Sequence, residues 1–157
     1  MVSKKVIIGA VVVIAIIAIA AVAMGGGDKS PDVRYNYEAE LSDSFLTSTG
    51  TLQTASDGYQ YLVVVYTVYN DKWSDGITTN DIIWQWKATA DGVSYSSTVI
   101  GYLHPDYQLV TVEKGGHATS AEVFEVPDTL TMSDITISQD YKDFSTPKIE
   151  RDTSISI

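Results

Sequence analysis

The run Tyr59–Asn70, YQYLVVVYTVYN, constrains the fold of this chain more than any other stretch. Its β-branched and aromatic side chains favour an extended strand, and no helical period organises them. A strand with one wet face alternates apolar with polar residues, whereas here both faces are apolar. Split by period two, Leu62, Val64, Tyr66 and Val68 share one face. Tyr59, Tyr61, Val63, Val65, Thr67 and Tyr69 share the other. The first set is the better core face, flanked by Gln60 and Asn70 at its wet ends. In a two-sheet sandwich only one face of a central strand meets the opposite sheet. The tyrosine face therefore needs a cover, expected from the Trp73 loop, the Tyr102–Tyr107 segment, the carboxyl-terminal tail or a partner.

The rest of the chain beyond residue 27 carries strand signals and no sustained helical period. Val33, Tyr35, Tyr37, Ala39 and Leu41 alternate with Arg34, Asn36, Glu38 and Glu40, a half-buried strand. Residues 42–56 are small and polar and read as a loop or a weak edge strand. Residues 82–90 alternate again, with Trp84, Trp86 and Ala88 opposite Gln85, Lys87 and Thr89. Asp91-Gly92 then suits a tight hairpin returning along residues 93–98. Further strands are expected at residues 107–112, 119–126 and 130–138, the second stopped by Pro127, which lacks a ladder N–H. Turn signals thus recur at roughly the 8–12-residue spacing of a β-sandwich.

The amino terminus is of another kind. Residues 6–24, VIIGAVVVIAIIAIAAVAM, hold no charged side chain. As a helix rising ~1.5 Å per residue, that length matches a hydrocarbon core of ~30 Å. Lys4 and Lys5 precede it, so the basic flank (1–5) is expected in the cytoplasm and the remainder outside. The expected organisation is a transmembrane signal-anchor over 6–24, a flexible tether over 25–32, a sandwich over 33–145, and a tail or last edge strand over 146–157. Two other readings stand beside the retained anchor. Ala21-Val22-Ala23 has the small-x-small pattern of signal-peptide cleavage, although the apolar core is longer than the ~7–15 residues usual there. A pilin-like filament helix also fits a basic pair before a long apolar run, but lacks the small residue normally found between them.

Charge and composition remove whole classes of function. All 20 acidic residues lie from Asp28 onward against 8 basic ones, a net charge of −12 for that part of the 157-residue chain. Such a surface repels phosphate backbones, so no nucleic-acid partner is expected. The chain has no cysteine, which excludes disulfides, thiol catalysis, thiolate metal sites and a lipid-acylated anchor together.

Gly58–Asn70, the Trp84…Asp91-Gly92…Tyr95 hairpin, and Glu113-Lys114-Gly115-Gly116 leading to Phe124-Glu125-Val126-Pro127 follow one another in order. In this they resemble the telokin-like, immunoglobulin-fold exterior domains of unknown function found in bacterial and archaeal membrane-anchored or secreted proteins. The similarity spans roughly residues 57–137. It implies an all-β, Ig-like antiparallel β-sandwich and a place at the cell surface, and it brings no catalytic residues. Gly115-Gly116 stands where many members have Pro-Gly.

Catalytic and metal chemistry finds little support. His104 and His117 both fall in loop sequence with no adjacent nucleophile motif, and two histidines without cysteine are too few for zinc or copper. Paired carboxylates occur by chance in so acidic a chain. Gly25-Gly26-Gly27 is no phosphate cradle, because no Lys-Ser/Thr follows. Asp71, Asp75 and Gly76 match part of an EF-hand loop, but Trp73 stands where an oxygen ligand belongs and Ile82 where the bidentate Glu should be. The EF-hand is excluded, and a looser calcium loop of Asp71, Asp75 and Asp81 is the remaining metal candidate. Tyr61, Tyr69 and Trp73 are the candidate partner surface, with Trp73 read as a packed lid in preference to an exposed anchor.

The expectation is a single-pass, membrane-anchored exterior domain, not an enzyme and without cofactor. It would act in cell-surface recognition, adhesion or scaffolding towards a surface protein or glycan. The alternatives are a secreted carbohydrate-binding module and a pilin-like subunit.

Overall fold

Among the described residues eleven strands follow one another: β1 (Val33–Ser42), β2 (Ser44–Leu46), β3 (Leu52–Thr54), β4 (Tyr59–Asn70), β5 (Ile77–Thr78), β6 (Trp84–Ala90), β7 (Val93–Ser96), β8 (Thr111–Val112), β9 (His117–Pro127), β10 (Thr136–Tyr141) and β11 (Ile155–Ser156). They are seen in a computed structural model that describes residues 33–74, 76–79, 84–141 and 155–156. The apolar segment 6–24, its flanks, and most of the tail lie outside the described residues. Among the described residues, no helix is long and apolar enough to cross a membrane.

Seven of these strands form two antiparallel sheets, one ordered β1-β4-β9 and the other β11-β10-β6-β7. The run that is apolar on both faces thus takes the centre of its sheet, with Leu62 set between Leu41 and Phe124. Its first face builds the inter-sheet core. Leu62, Val64 and Tyr66 join Phe124 and Val126 from β9 and meet Trp86, Ala88 and Ile137 from the opposite sheet. Trp86 anchors this layer, its ring 4.8 Å from Tyr66 and edge-on to Tyr35 at 5.7 Å. Below it, Val68 packs with Val33, Ile77 and Val112, and Trp73 closes over that cluster half-buried.

Asn70 ends β4 as a buried clamp with no exposed surface. Its side chain donates to the Val112 carbonyl at 3.0 Å and accepts from the Trp73 amide at 2.9 Å. Its backbone pairs with Gly115 and Gly116, so the polar group is fully satisfied where the apolar strand stops. The expected Asp91-Gly92 hairpin is present, with φ of 50° and 77° at the two positions.

Some expectations of strand extent change, among them residues 130–138, where a 3-10 turn (Met132–Asp134) precedes a strand that begins at Thr136. Residues 42–56, read as a loop or a weak edge strand, hold the short strands β2 and β3 paired as a hairpin, and Phe45 packs inward from it. Residues 107–112 are not a strand until their last two positions, because side chains take their backbone groups. The Ser120 hydroxyl bonds both the Gln108 amide and its carbonyl, and Thr79 bonds the Gln108 carbonyl and the Val110 amide.

Candidate functional site

The tyrosine face of β4 is covered at one end and open at the other. Phe45 from the β2–β3 hairpin packs over Tyr61, Val63 and Val123, with Ile100 beside them. Ile100 belongs to a 3-10 turn, Val99–Leu103, in the connection from β7 to β8. The cover therefore comes from the chain itself, and chiefly from the hairpin, which sequence reasoning did not name among its candidates. Tyr61 is 1% exposed and its hydroxyl donates to the Thr54 carbonyl at 3.0 Å. It offers no free surface to a partner, because the hairpin occupies that side.

Towards the other end the face is wetter. Thr67 and Thr119 share a hydrogen bond at 2.8 Å across the two strands. Tyr69 stacks on His117 at 5.6 Å, with the Arg34 guanidinium 4.8 Å above the tyrosine ring. Arg34 also forks onto Asp71, its Nε 2.5 Å and Nη2 3.1 Å from the two carboxylate oxygens. That contact holds the Asp71 carboxyl below the usual carboxylate range and occupies the oxygens a calcium ion would need. Asp75 and Asp81 lie outside the described residues, among which no group of three His, Cys, Asp or Glu could hold a metal. Trp73 turns its ring towards Val68 and Val112, away from a sugar-stacking geometry.

A cleft lies elsewhere, along the edge of β9 that β4 does not use. The β7–β8 connection runs beside this edge and satisfies it at two points. The Thr98 amide and hydroxyl both donate to the Val123 carbonyl, at 2.7 and 3.0 Å, and the Ser120 hydroxyl holds Gln108. Gly101 lies against β9 here, where a side chain would come within 3.4 Å of the Val123 amide. Between the two ties the connection bows outward and leaves a cleft of about 90 Å³ lined by Ser97, Tyr102, Tyr107, Ala121 and Glu122, among others.

Glu122 is the chemically distinctive group. It falls on the same period-two face of β9 as the core residues Phe124 and Val126, opposite Val64 in register. Burial pushes its carboxyl up to about 7, opposed by a hydrogen bond from Ser97. Across the cleft the rings of Tyr102 and Tyr107 meet at 4.9 Å, tilted by 56°. Burial raises the Tyr107 phenol above its ordinary value, and the charges of Tyr102 and Glu122 add to this, so the hydroxyl stays a donor. The arrangement sets one titratable carboxyl beside two electron-rich rings. Sequence reasoning passed over Glu122 and Ser97, although a lone acid on the apolar face of residues 119–126 was a visible signal.

No protein-family model matches this chain, and no curated sequence matches it. Among solved structures it is similar to an uncharacterised β-sandwich protein of Clostridium difficile. That likeness has 17% identity, covers 78% of this chain and 86% of the other, and has a TM-score of 0.49. It is also similar to a conserved hypothetical protein of Bacillus anthracis, with 12% identity, 82% and 94% of the two chains covered, and a TM-score of 0.55. The latter likeness shows a shared fold, in agreement with the two packed antiparallel sheets: the described chain is a β-sandwich domain.

Proposed function

We propose that this chain is an Ig-like domain held outside the cell by its apolar amino-terminal segment, and that it acts without chemistry of its own in recognition, adhesion or scaffolding at the surface. Strand order supports the Ig-like part. Of the seven strands in the two main sheets, taken in chain order, the first, second and fifth share one sheet and the third, fourth, sixth and seventh the other, a Greek-key arrangement like that of immunoglobulin-like sandwiches.

One observation carries the recognition part. Exposed large apolar side chains are concentrated, not scattered: Leu46 and Leu52 stand on the β2–β3 hairpin, and Val99, Tyr102, Leu103, Leu109 and Val110 on the β7–β8 connection. Among the described residues only Tyr59 and Val93 lie elsewhere. The Ser48 amide donates to the Leu103 carbonyl at 2.8 Å, so the hairpin meets the 3-10 turn that carries Val99, Tyr102 and Leu103. Concentrated apolar exposure of this kind marks a surface that meets another molecule. Protease added to intact cells should remove the domain while leaving a cytoplasmic marker whole. Complete protection, reversed only by lysis, would overturn the exterior placement.

A further inference from the structure

We infer that the cleft at the β9 edge is a site for a small ammonium group, taken between the Glu122 carboxylate and the Tyr102–Tyr107 ring pair. The inference deepens the recognition reading by naming a ligand class, yet it concerns the folded domain alone and does not depend on where the cell holds it. Three features converge on this chemistry. First, the carboxylate is half-buried with the Ser97 hydroxyl as its hydrogen-bond partner, so its charge is poorly compensated until a cation arrives. Secondly, the two tyrosine rings line the cleft in contact with each other, 4.9 Å apart and tilted by 56°, and aromatic faces attract cations through the ring quadrupole. Thirdly, the cleft, of about 90 Å³ and open on one side, has room for an ammonium head group.

The exposures fit an entry route. Tyr102 is 61% exposed and forms the outer wall, whereas Ala121 and Gly101 at the floor are buried. An ammonium entering past Tyr102 reaches Glu122 with its apolar substituents against the rings. A free alkylamine and the side chain of a lysine on another protein present the same chemistry. The net negative charge of residues 28–157 favours either over an anion.

The test is a titration of the full chain in detergent, its tyrosine rings labelled with ¹³C and the Tyr102 and Tyr107 signals assigned with Tyr102→Phe and Tyr107→Phe. The probes are tetramethylammonium, n-propylammonium and Nα-acetyl-lysine methylamide, with sodium chloride and the uncharged 3,3-dimethyl-1-butanol as references. The expected result is saturable shifts of both rings with the ammonium probes and none with the references. Glu122→Gln should weaken binding at least tenfold, and Tyr102→Ala about threefold, while Tyr59→Phe at a remote exposed position changes nothing. Binding should weaken as pH falls from 8 to 5 and Glu122 takes up its proton. Preference for the acetylated lysine identifies a protein side chain as the source, and preference for the free amines a small metabolite. Absence of saturation would overturn the proposal, as would equal shifts from the uncharged alcohol or full binding by folded Glu122→Gln. Should that variant lose its folded amide spectrum, Tyr102→Ala carries the decision, and its unchanged affinity would reject the site. Protease shaving reads none of this, so the two readings fail separately.

Discussion

Phe45 and Tyr61 meet edge to face with ring centroids 5.3 Å apart, a contact that helps cover one end of the second face of the central strand. Phe45 is 7% exposed, on a three-residue strand whose hairpin is tied to the rest of the fold by bonds such as Ser48 to Leu103 and Thr54 to the Tyr61 hydroxyl. Truncating it removes the hairpin's apolar anchor and bares Tyr61 and Val63. Phe45→Ala should therefore cost about 3 kcal/mol. Leu46→Ala next to it, at an exposed position, should stay within about 0.5 kcal/mol. Urea denaturation gives both values. Amide exchange should further show β3 losing protection in the Phe45 variant before β4 does.

Phe45 also marks how far the sequence could be read. The long strands were legible because their faces alternate over many residues, so periodicity outweighs any single ambiguity. Phe45 stands among serines and threonines with no periodic partner, and its role depends on Tyr61 lying exposed beneath it in the bare sheet. Residues 107–112 look strand-like, yet Thr79 and Ser120 capture their backbone groups, a long-range competition that local pattern does not carry. Glu122 was visible as an acid in an apolar register, but its importance follows from the bowed connection that makes the cleft. Tyr61, Tyr69 and Trp73 share a sequence character and end in different environments: beneath a hairpin, stacked on His117, and folded onto Val68 and Val112.

Asn70 should be among the most sensitive polar positions. Replacing it with Ala leaves the Val112 carbonyl and the Trp73 amide unpaired inside the protein, at a cost of about 2–3 kcal/mol. Asn70→Asp should be worse at neutral pH, since a carboxylate cannot donate to Val112. Exposed Asn36→Ala is the control and should be near neutral. Equal denaturation midpoints for Asn70→Ala and Asn36→Ala would contradict the clamp.

Tyr37 predicts a change in the opposite direction. Its ring packs against Trp86 at 5.9 Å, yet its hydroxyl is buried without a hydrogen-bond partner among the described residues, and burial pushes the phenol up to about 12. Removing an unsatisfied buried hydroxyl relieves its desolvation cost and keeps the ring contact. Tyr37→Phe should raise stability by up to about 1 kcal/mol in thermal or urea unfolding. A loss of 1 kcal/mol or more would mean that the hydroxyl has a partner in the folded protein.

Glu122 makes stability depend on pH in the sense opposite to a salt-bridged acid. Its folded value of about 7 lies above the ordinary carboxylate value near 4.5, so the folded state binds the proton more tightly than the unfolded state does. The associated stability is fully present below the unfolded value and is lost as pH rises through about 7. From the shift, the loss is on the order of 2–3 kcal/mol. His104 works against this in part of the range: burial against Phe45 lowers its value, so its neutral form favours folding as pH rises towards 6.5. Asp71 and Asp134 are held low by Arg34 and Thr131 and act only at more acidic pH. Glu122→Gln separates the contributions, because it removes the falling limb and leaves that of His104. The variant should match the parent near pH 4.5 and exceed it by about 2 kcal/mol at pH 8 in urea denaturation. A constant difference between the two proteins across that range would show that Glu122 is ionised throughout. A saturating ammonium ion should restore parent stability at pH 8 and leave the variant unchanged.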